Sequence, residues 1–269
     1  MDGSLPTYKA LRVVSAEVCG SSRPVVIETD AGYFFTKLRG AAQGTSALVA
    51  EIIVAKLAEA LGLWVPAQAL ISIDTEIHSE NREDEFLDLL AASSGINLGF
   101  QYLHGARDIR SHEIKSIDGD FASQVLWLDS LVMNVDRTAK NPNLMFCQDK
   151  IWLIDHGAAL PFQYRWATVV EESPRNASYG MHQHIFWHRA HSLERWDDSL
   201  AASLSATVLQ EAVNKIPSCF LQPLLSSAPS AQKIERRRQA YAAFLWKRLK
   251  PPRPFVNMGL VDNAYVDRR

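Results

Sequence analysis

Cysteine is scarce in this sequence, and the few cysteines are too scattered to form a disulfide framework. The 269 residues contain three of them, Cys19, Cys147 and Cys219, without a Cys-x-x-Cys pair. Small secreted domains that depend on disulfides carry several cysteines at short spacings. The scarcity therefore indicates a reducing compartment, and we expect a cytoplasmic protein.

Long apolar runs are missing as well. No segment approaches the roughly 18 uninterrupted apolar residues that a membrane span requires. Residues 1–6 (Met-Asp-Gly-Ser-Leu-Pro) have neither the basic start nor the apolar stretch of a secretory signal. We therefore expect no membrane association.

A strong charge of one sign is also absent. The formal net charge is −2 and the isoelectric point is near 6.4, whereas a surface that binds nucleic acid is strongly basic. We expect no direct nucleic-acid binding. With 47% hydrophobic residues the chain can bury a substantial core. It shows no internal repeat or low-complexity linker, so we expect one catalytic domain over residues 1–269.

The first forty residues predict three strands joined by glycine-containing turns. Residues 11–19, 25–29 and 33–38 have the β-branched and aromatic content of strands, and short turns favour an antiparallel meander. Lys37 lies near the end of the third strand, on the same predicted face as Phe35. Its ammonium could reach the phosphates of ATP, and an exposed strand lysine is the simpler alternative.

Glu51 is the exception in an apolar helix predicted over residues 45–61. Its neighbours three and four positions away are all apolar, namely Ala47, Leu48, Val54 and Ala55. A carboxylate there is costly to bury unless a cation meets it. A strand lysine paired with a helix glutamate orients the phosphate-binding lysine of kinases. We favour a pair between Lys37 and Glu51 over a half-exposed helix with Glu51 in water.

The stretch 134–143 (Asn-Val-Asp-Arg-Thr-Ala-Lys-Asn-Pro-Asn) carries the strongest functional pattern. Asp136 is followed five positions later by Asn141, and Asp155 opens an Asp-His-Gly turn. This spacing is typical of phosphoryl transfer, in which one carboxylate positions the attacking hydroxyl while an amide and a second carboxylate hold magnesium. Residues 144–154 between them predict a hairpin that carries both ends of the site to one edge of a cleft.

The remaining periodicity predicts an α+β protein. Strands are expected over residues 67–74 and 95–105, and helices over the segments 81–92, 118–134, 197–214, 217–226 and 230–249. The change from strands to helices favours two lobes. We expect an N-terminal lobe over about residues 8–105, with an antiparallel β-sheet and one key helix, and a mainly helical C-terminal lobe over about 106–250. A tail, 251–269, follows.

The histidines of residues 182–191 raise the hypothesis of a metal site. His182 and His184 are two positions apart, and His188 and His191 are close in sequence. No cysteine or acidic ligand recurs at a diagnostic spacing. We therefore favour a loop that places aromatic residues and histidines at the surface.

An ordered set of motifs resembles the HipA-like kinase family. The set comprises residues 34–37 (Phe-Phe-Thr-Lys), 50–58 around Glu51, 61–66 (Leu-Gly-Leu-Trp-Val-Pro), 134–137 (Asn-Val-Asp-Arg), 141–144 (Asn-Pro-Asn-Leu) and 154–157 (Ile-Asp-His-Gly). The order is also similar to phosphatidylinositol kinases, where Asp-Arg opens the catalytic loop. The likeness covers about residues 11–190. It implies a bilobal protein-kinase-like fold and a Ser/Thr protein kinase that uses ATP and Mg²⁺.

The resemblance also implies roles for individual residues. Lys37 would bind ATP phosphates with Glu51 as its anchor, Asp136 would be catalytic, and Asn141 and Asp155 would bind magnesium. Asn143 could replace Asn141 if the loop is offset, and we prefer Asn141. The turn that covers the nucleotide would be Gly20, Ser21 and Ser22.

Departures from the kinase pattern keep other functions open. The catalytic loop reads Val-Asp-Arg, the metal turn is Asp-His-Gly, and the nucleotide-covering turn has a single glycine. A catalytically weak binding or regulatory module with a kinase fold is one alternative, and a small-molecule or lipid kinase is another. Because members of the family can belong to toxin–antitoxin pairs, an antitoxin-like partner is a further implication.

Overall fold

The N-terminal strands close into a ring. The computed structural model describes residues 4–16, 24–177, 180–190, 193–225 and 228–256. Neighbouring strands around the ring are β1 (Thr7–Ala16), β2 (Val25–Thr29), β3 (Gly32–Lys37), β6 (Gly95–Gln101) and β4 (Gln68–Ile73), which pairs again with β1; the short β5 (His78–Ser79) adds to β1 outside the ring. The predicted strands therefore build a five-stranded barrel.

Strand β1 closes the barrel because it pairs along both of its edges. Residues 7–9 run parallel to β4, whereas residues 10–16 pair antiparallel with β2. Register shifts between Ala10 and Arg12 and between Val13 and Ser15 bend the strand, as β-bulges do. The expected antiparallel pairing holds for β1, β2 and β3. The expectation of an antiparallel sheet as a whole is wrong, because β1 and β4 are parallel.

The helices are α1 (Gly44–Ala60), α2 (Asp84–Ala92), α3 (Ser111–Ile114), α4 (Gly119–Val132), α5 (Leu193–Ser203), α6 (Ala206–Asn214), α7 (Ser218–Leu221) and α8 (Ala231–Leu249). Most of them lie within a few residues of a predicted helix, whereas the short α3 was not predicted. The helix predicted over 197–214 is two helices. Ser205 separates them, since its hydroxyl accepts the backbone N–H of Val208 and so begins α6.

The predicted hairpin is present as β8 (Leu144–Cys147) and β9 (Lys150–Leu153), with β7 (Arg107–Asp108) beside β8. Gln148 and Asp149 form the two-residue turn with φ of 51° and 58°. Positive φ at both positions matches the right-handed twist of a two-stranded ribbon. After β9, the described part of residues 158–190 contains 3₁₀ turns at Pro161–Thr168, Ser173–Arg175 and Met181–Gln183, the first of which is kinked at Arg165.

Two apolar clusters hold these elements together. The smaller cluster fills the barrel and includes Ile27 and Ile71 from its strands and Phe86 from α2. The larger one joins α1 to α4 and to the C-terminal helices. Helix α1 is buried on nearly all sides and packs against α6 and α7. Within the described ranges, no helix combines the length and apolarity of a bilayer span.

Candidate active site

Lys37 lies at the end of β3 and is almost fully buried, with 5% of its surface exposed. Its ammonium donates to Glu51 Oε1 at 2.5 Å and to Asp155 Oδ1 at 2.7 Å. The barrel lysine therefore meets the glutamate of α1 and the first residue of the Asp-His-Gly turn at one point. The structure contains the pair between Lys37 and Glu51 that the sequence predicts.

Opposite charges outweigh burial at Lys37 and Asp155, whereas burial outweighs them at Glu51. Burial disfavours the ammonium, but attraction to the two carboxylates raises the pKa of Lys37 above its ordinary value. Burial also opposes the Asp155 carboxylate, yet Lys37 lowers the pKa of Asp155 below its ordinary value. Complete burial raises the pKa of Glu51, and Lys37 opposes that effect. The ammonium and the Asp155 carboxylate are consequently both charged at neutral pH.

Helix α1 and the Asp-His-Gly turn are in direct contact. The backbone N–H of His156 lies close enough to the Glu51 carboxylate to oppose the rise of its pKa. Gly157 lies so close to the helix that a Cβ at this position would be 3.2 Å from the Ala47 Cβ and 3.3 Å from Gln43 Oε1. The absence of a side chain at residue 157 lets the turn approach the helix that carries Glu51.

Helix α4 delivers the chain to Asp136. The helix ends at Met133, whose left-handed conformation (φ 59°) turns the chain sharply. Asp136 is half-buried. Its Oδ2 accepts the Asn141 side-chain N–H at 2.8 Å and lies 3.4 Å from Asn143 Nδ2. Two side-chain amides thus surround the carboxylate that the sequence assigns to catalysis.

The β8–β9 hairpin joins this loop to the turn at Asp155. The backbone N–H of Ile154 donates to the Asn143 carbonyl at 3.1 Å, and Asn143 Nδ2 lies 3.5 Å from the Asp155 carbonyl oxygen. Asp155 has a φ of 53°, a conformation that is uncommon outside glycine and recurs at functional sites. Asn143 therefore touches both aspartates, and Lys37 ties the barrel to the second.

The oxygen donors of this arrangement fit magnesium. Mg²⁺ prefers carboxylate and carbonyl oxygens and keeps several waters, and Asp155 offers such a carboxylate with part of its surface exposed. When Asn141 and Asn143 donate through nitrogen to Asp136, their amide oxygens stay available as ligands. Asn141 is exposed and Asn143 is buried. In the described ranges, no group of three or more His, Cys, Asp and Glu side chains could hold a metal ion by itself.

The structure brings together Lys37, Glu51, Asp136, Asn141 and Asp155, the residues that the sequence selects from both halves of the chain. Asn143 supplies the contacts between the two aspartates. Gly20, Ser21 and Ser22, which were expected to cover the nucleotide, lie outside the described residues.

Sequence reasoning missed a buried ion pair beneath the loop. Asp129 and Arg137 are both fully buried, and Arg137 Nε lies 2.6 Å from Asp129 Oδ2. His184 also contacts this carboxylate, at 3.0 Å, so it lies inside the fold and not at the surface that was expected. The available signal was an aspartate within the apolar sequence of α4, eight positions before an arginine.

A strand lysine paired with a helix glutamate and facing an Asp-x-Gly turn defines a kinase-like fold. A solved structure agrees: the chain is similar to the Helicobacter pylori proinflammatory kinase CtkA, with a TM-score of 0.52 and 10% identity, over 91% of this chain and 98% of that one. A search of the curated proteins gives no match.

The family follows from the sequence itself. Residues 11–230 match the family model described as HipA-like kinase. The matched region covers most of the barrel, helix α1, the loop at Asp136, the Asp-His-Gly turn and the helices up to α7. This chain belongs to the HipA-like kinase family.

Proposed function

We propose that this protein transfers the γ-phosphoryl group of ATP to a hydroxyl group in a magnesium-dependent reaction, and that the acceptor is a Ser or Thr of a protein. The observation that carries the proposal is the double contact of Lys37, which joins Glu51 and Asp155 across the boundary between the barrel and the helical part. ATP would bind at this boundary, between an N-terminal lobe and a C-terminal lobe. Membership of the HipA-like kinase family supports the reaction class.

Each side chain of the site has a task in this proposal. Lys37 binds the phosphates, and Glu51 keeps its ammonium oriented when Asp155 turns to the metal. Asp155 and an asparagine, Asn141 in our assignment, hold magnesium, which neutralises phosphate charge when bound. Asp136 orients the acceptor hydroxyl and accepts its proton. Catalysis on this account is mainly positioning and electrostatic stabilisation.

The acceptor would approach from the exposed side of Asp136. Val135 precedes the aspartate with 44% of its surface exposed, and Gly180 lies beside it. The exposed apolar surface of Val135 offers contact area beside the hydroxyl, which suits an extended peptide better than a small polar molecule. This observation favours a protein acceptor over a small-molecule substrate.

Transfer of label from [γ-³²P]ATP to the protein itself or to a generic hydroxyl-bearing protein tests the proposal. Wild-type protein with Mg²⁺ is expected to transfer label. Asp136→Asn and Asp155→Asn should each lose about a hundredfold or more, because each removes a charge that acts on the reacting groups.

Asp149→Asn is the matched control. Asp149 is exposed in the β8–β9 turn, and asparagine tolerates its positive φ. Its variant should behave as wild type. If the wild type binds ATP but transfers no label under any condition, the protein is a binding module with a kinase fold. If either site variant retains wild-type turnover, the role assigned to that aspartate is wrong.

A further inference from the structure

Asp129 collects polar contacts from three side chains of two separate segments although it has no exposed surface. Its Oδ1 accepts the Asn134 side-chain N–H at 3.0 Å. Its Oδ2 accepts Arg137 Nε at 2.6 Å and lies 3.0 Å from His184 Nε2. Both carboxylate oxygens are therefore engaged, and all their donors come from the chain after α4.

Arg137, the residue after Asp136, extends the network toward the site. Beyond Asp129, its Nη1 donates to the Asn143 carbonyl, and its Nη2 lies 3.3 Å from His156 Nδ1. A guanidinium has no acceptor atom, so His156 accepts here through Nδ1. One planar side chain thereby connects helix α4, the end of the loop 134–143 and the Asp-His-Gly turn.

His184 connects a fourth segment, residues 181–186. The backbone N–H of Phe186 donates to His184 Nδ1 at 3.1 Å, so the proton is on Nε2, which donates to Asp129. Main-chain contacts also join residues 181–186 to the loop 134–143. The N–H of Ile185 donates to the Arg137 carbonyl at 3.0 Å, and residues 138 and 184 form a β-bridge. The loop 134–143 is therefore held by side-chain contacts to Asp129 and by main-chain contacts to residues 184 and 185.

Few contacts fix Asp136 itself. Its backbone N–H donates to Asn134 Oδ1 at 3.2 Å, and its carboxylate contacts the amides of Asn141 and Asn143. Asn134 and Asn143 are in turn held by Asp129 and Arg137. The orientation of Asp136 therefore depends on the buried ion pair, although neither Asp129 nor Arg137 hydrogen-bonds to the Asp136 carboxylate.

We propose that Asp129, Arg137 and His184 are positioning residues, which set the geometry of Asp136 relative to Asp155 and make it depend on docking of residues 181–186 against the loop. The inference rests on the proposed function. Stability alone does not account for the network, because apolar residues of similar volume often replace a buried ion pair without loss of stability. Displacement of a catalytic group by about 1 Å can cost about a hundredfold in rate. A network that keeps Asp136 in place would therefore act on the rate of transfer.

Replacement of His184 tests the inference with the smallest disturbance, since Asp129 keeps Arg137 and Asn134. His184→Leu removes the donor, and His184→Gln keeps an amide N–H. We expect the leucine variant to lose about ten- to a hundredfold in kcat for label transfer, with the KM for ATP within about threefold of wild type and similar affinity for Mg²⁺ and a non-hydrolysable ATP analogue. The kcat of the glutamine variant should be about tenfold higher than that of the leucine variant.

Arg137→Lys is the second variant and replaces the leucine variant if that protein does not fold. Lysine keeps the charge beside Asp129 but cannot also reach Asn143 and His156, so kcat should fall without loss of ATP-analogue binding. Tyr241→Phe is the control: it removes a buried hydroxyl that donates to Gln163 and should lower the melting temperature without lowering kcat.

The outcomes separate the two proposals. Wild-type kcat in both His184→Leu and Arg137→Lys overturns the positioning role and leaves the phosphotransferase intact. A fall in kcat matched by an equal loss of analogue binding also overturns it, because the residues would then act on nucleotide affinity. An inactive wild type that still binds ATP overturns the proposed function and this inference with it.

Discussion

At the scale of single residues, the site depends on one ammonium shared by two carboxylates. Lys37 and Glu51 are both buried, and neither would be tolerated there alone, since an unpaired buried charge costs several kcal/mol. Asp155 is the more exposed partner, so on the proposed function it is the carboxylate that would bind the metal ion. Replacement of Glu51 and replacement of Asp155 should therefore have different effects.

Glu51→Gln is expected to weaken both stability and ATP use. The substitution keeps the shape of the side chain and leaves Lys37 with Asp155 only. We expect the free energy of unfolding to fall by about 3 kcal/mol and the KM for ATP to rise at least about tenfold, because the lysine is no longer oriented. Urea denaturation and steady-state kinetics measure the two effects. The control Glu59→Gln is exposed on the same helix; a similar effect from both variants would contradict the account.

His184 predicts a pH dependence of stability. Burial and the charge of Arg137 lower the pKa of His184 below its ordinary value, although Asp129 opposes them. Below about pH 6.5 the unfolded chain therefore takes up a proton that the folded protein resists. Stability should be fully present above that pH and fall as the pH decreases, by at most about 1.4 kcal/mol per pH unit for this histidine.

Urea denaturation between pH 5 and pH 8 checks this expectation. His184→Gln should reduce the slope below about pH 6.5 but not remove it, because the buried His156 also has a lowered pKa. Replacement of the exposed His182 should leave the slope unchanged. An identical slope in wild type and His184→Gln would show that His184 takes up its proton equally in the folded and unfolded protein.

The sequence was informative about charged residues only where their surroundings were unusual. Glu51 stood out because every helical neighbour is apolar, and its partner Lys37 followed from the strand before it. Asp129 lies in an equally apolar helix, but its partner, Arg137, sits next to Asp136 and was interpreted as part of a kinase motif. Spacing shows that a group is present in a motif, whereas the direction of its side chain depends on tertiary packing.

At the scale of elements, the position of α1 relative to the Asp-His-Gly turn controls the site. The backbone N–H of His156 lies near the Glu51 carboxylate, and Gly157 packs against Ala47. Helix α1 is itself held by α6 and α7 through the larger apolar cluster. The helix therefore has little room to move away when the turn is enlarged.

Gly157→Ala tests this packing. The added methyl group would lie about 3.2 Å from the Ala47 Cβ, closer than unstrained side chains pack, and overpacking of this kind costs about 1–3 kcal/mol. We expect a rise in the KM for ATP and a lower melting temperature. Ala47→Gly combined with Gly157→Ala should restore part of the KM, and no recovery would show that the contact is not the cause.

The order of most elements could be predicted from sequence, but the closure of the barrel could not. Hydrophobic periodicity and glycine turns located β2, β3, β4, α1 and α4 to within a few residues, because these signals are local. Closure depends on pairing between β1 and β4, which are far apart in sequence, and on bulges in β1 that leave no residue signature. The two-residue strands β5 and β7 are too short for any periodicity.

At the scale of the whole molecule, the site lies where two parts of the chain meet. The barrel contributes Lys37, α1 contributes Glu51, and the region after α4 contributes both aspartates. The contact between Lys37 and Asp155 joins these parts. On the proposed function, the same residues would hold the phosphates of ATP and magnesium.

Calorimetric titration of ATP with and without Mg²⁺, on wild type and on Asp155→Asn, tests the central claim most directly. The account predicts that the wild type binds ATP at least about tenfold more tightly with Mg²⁺ and that Asp155→Asn loses this dependence while Asp149→Asn retains it. A tenfold difference corresponds to about 1.4 kcal/mol. Equal, Mg²⁺-independent ATP affinity in wild type and Asp155→Asn would contradict the assignment of these residues to one ATP–magnesium site.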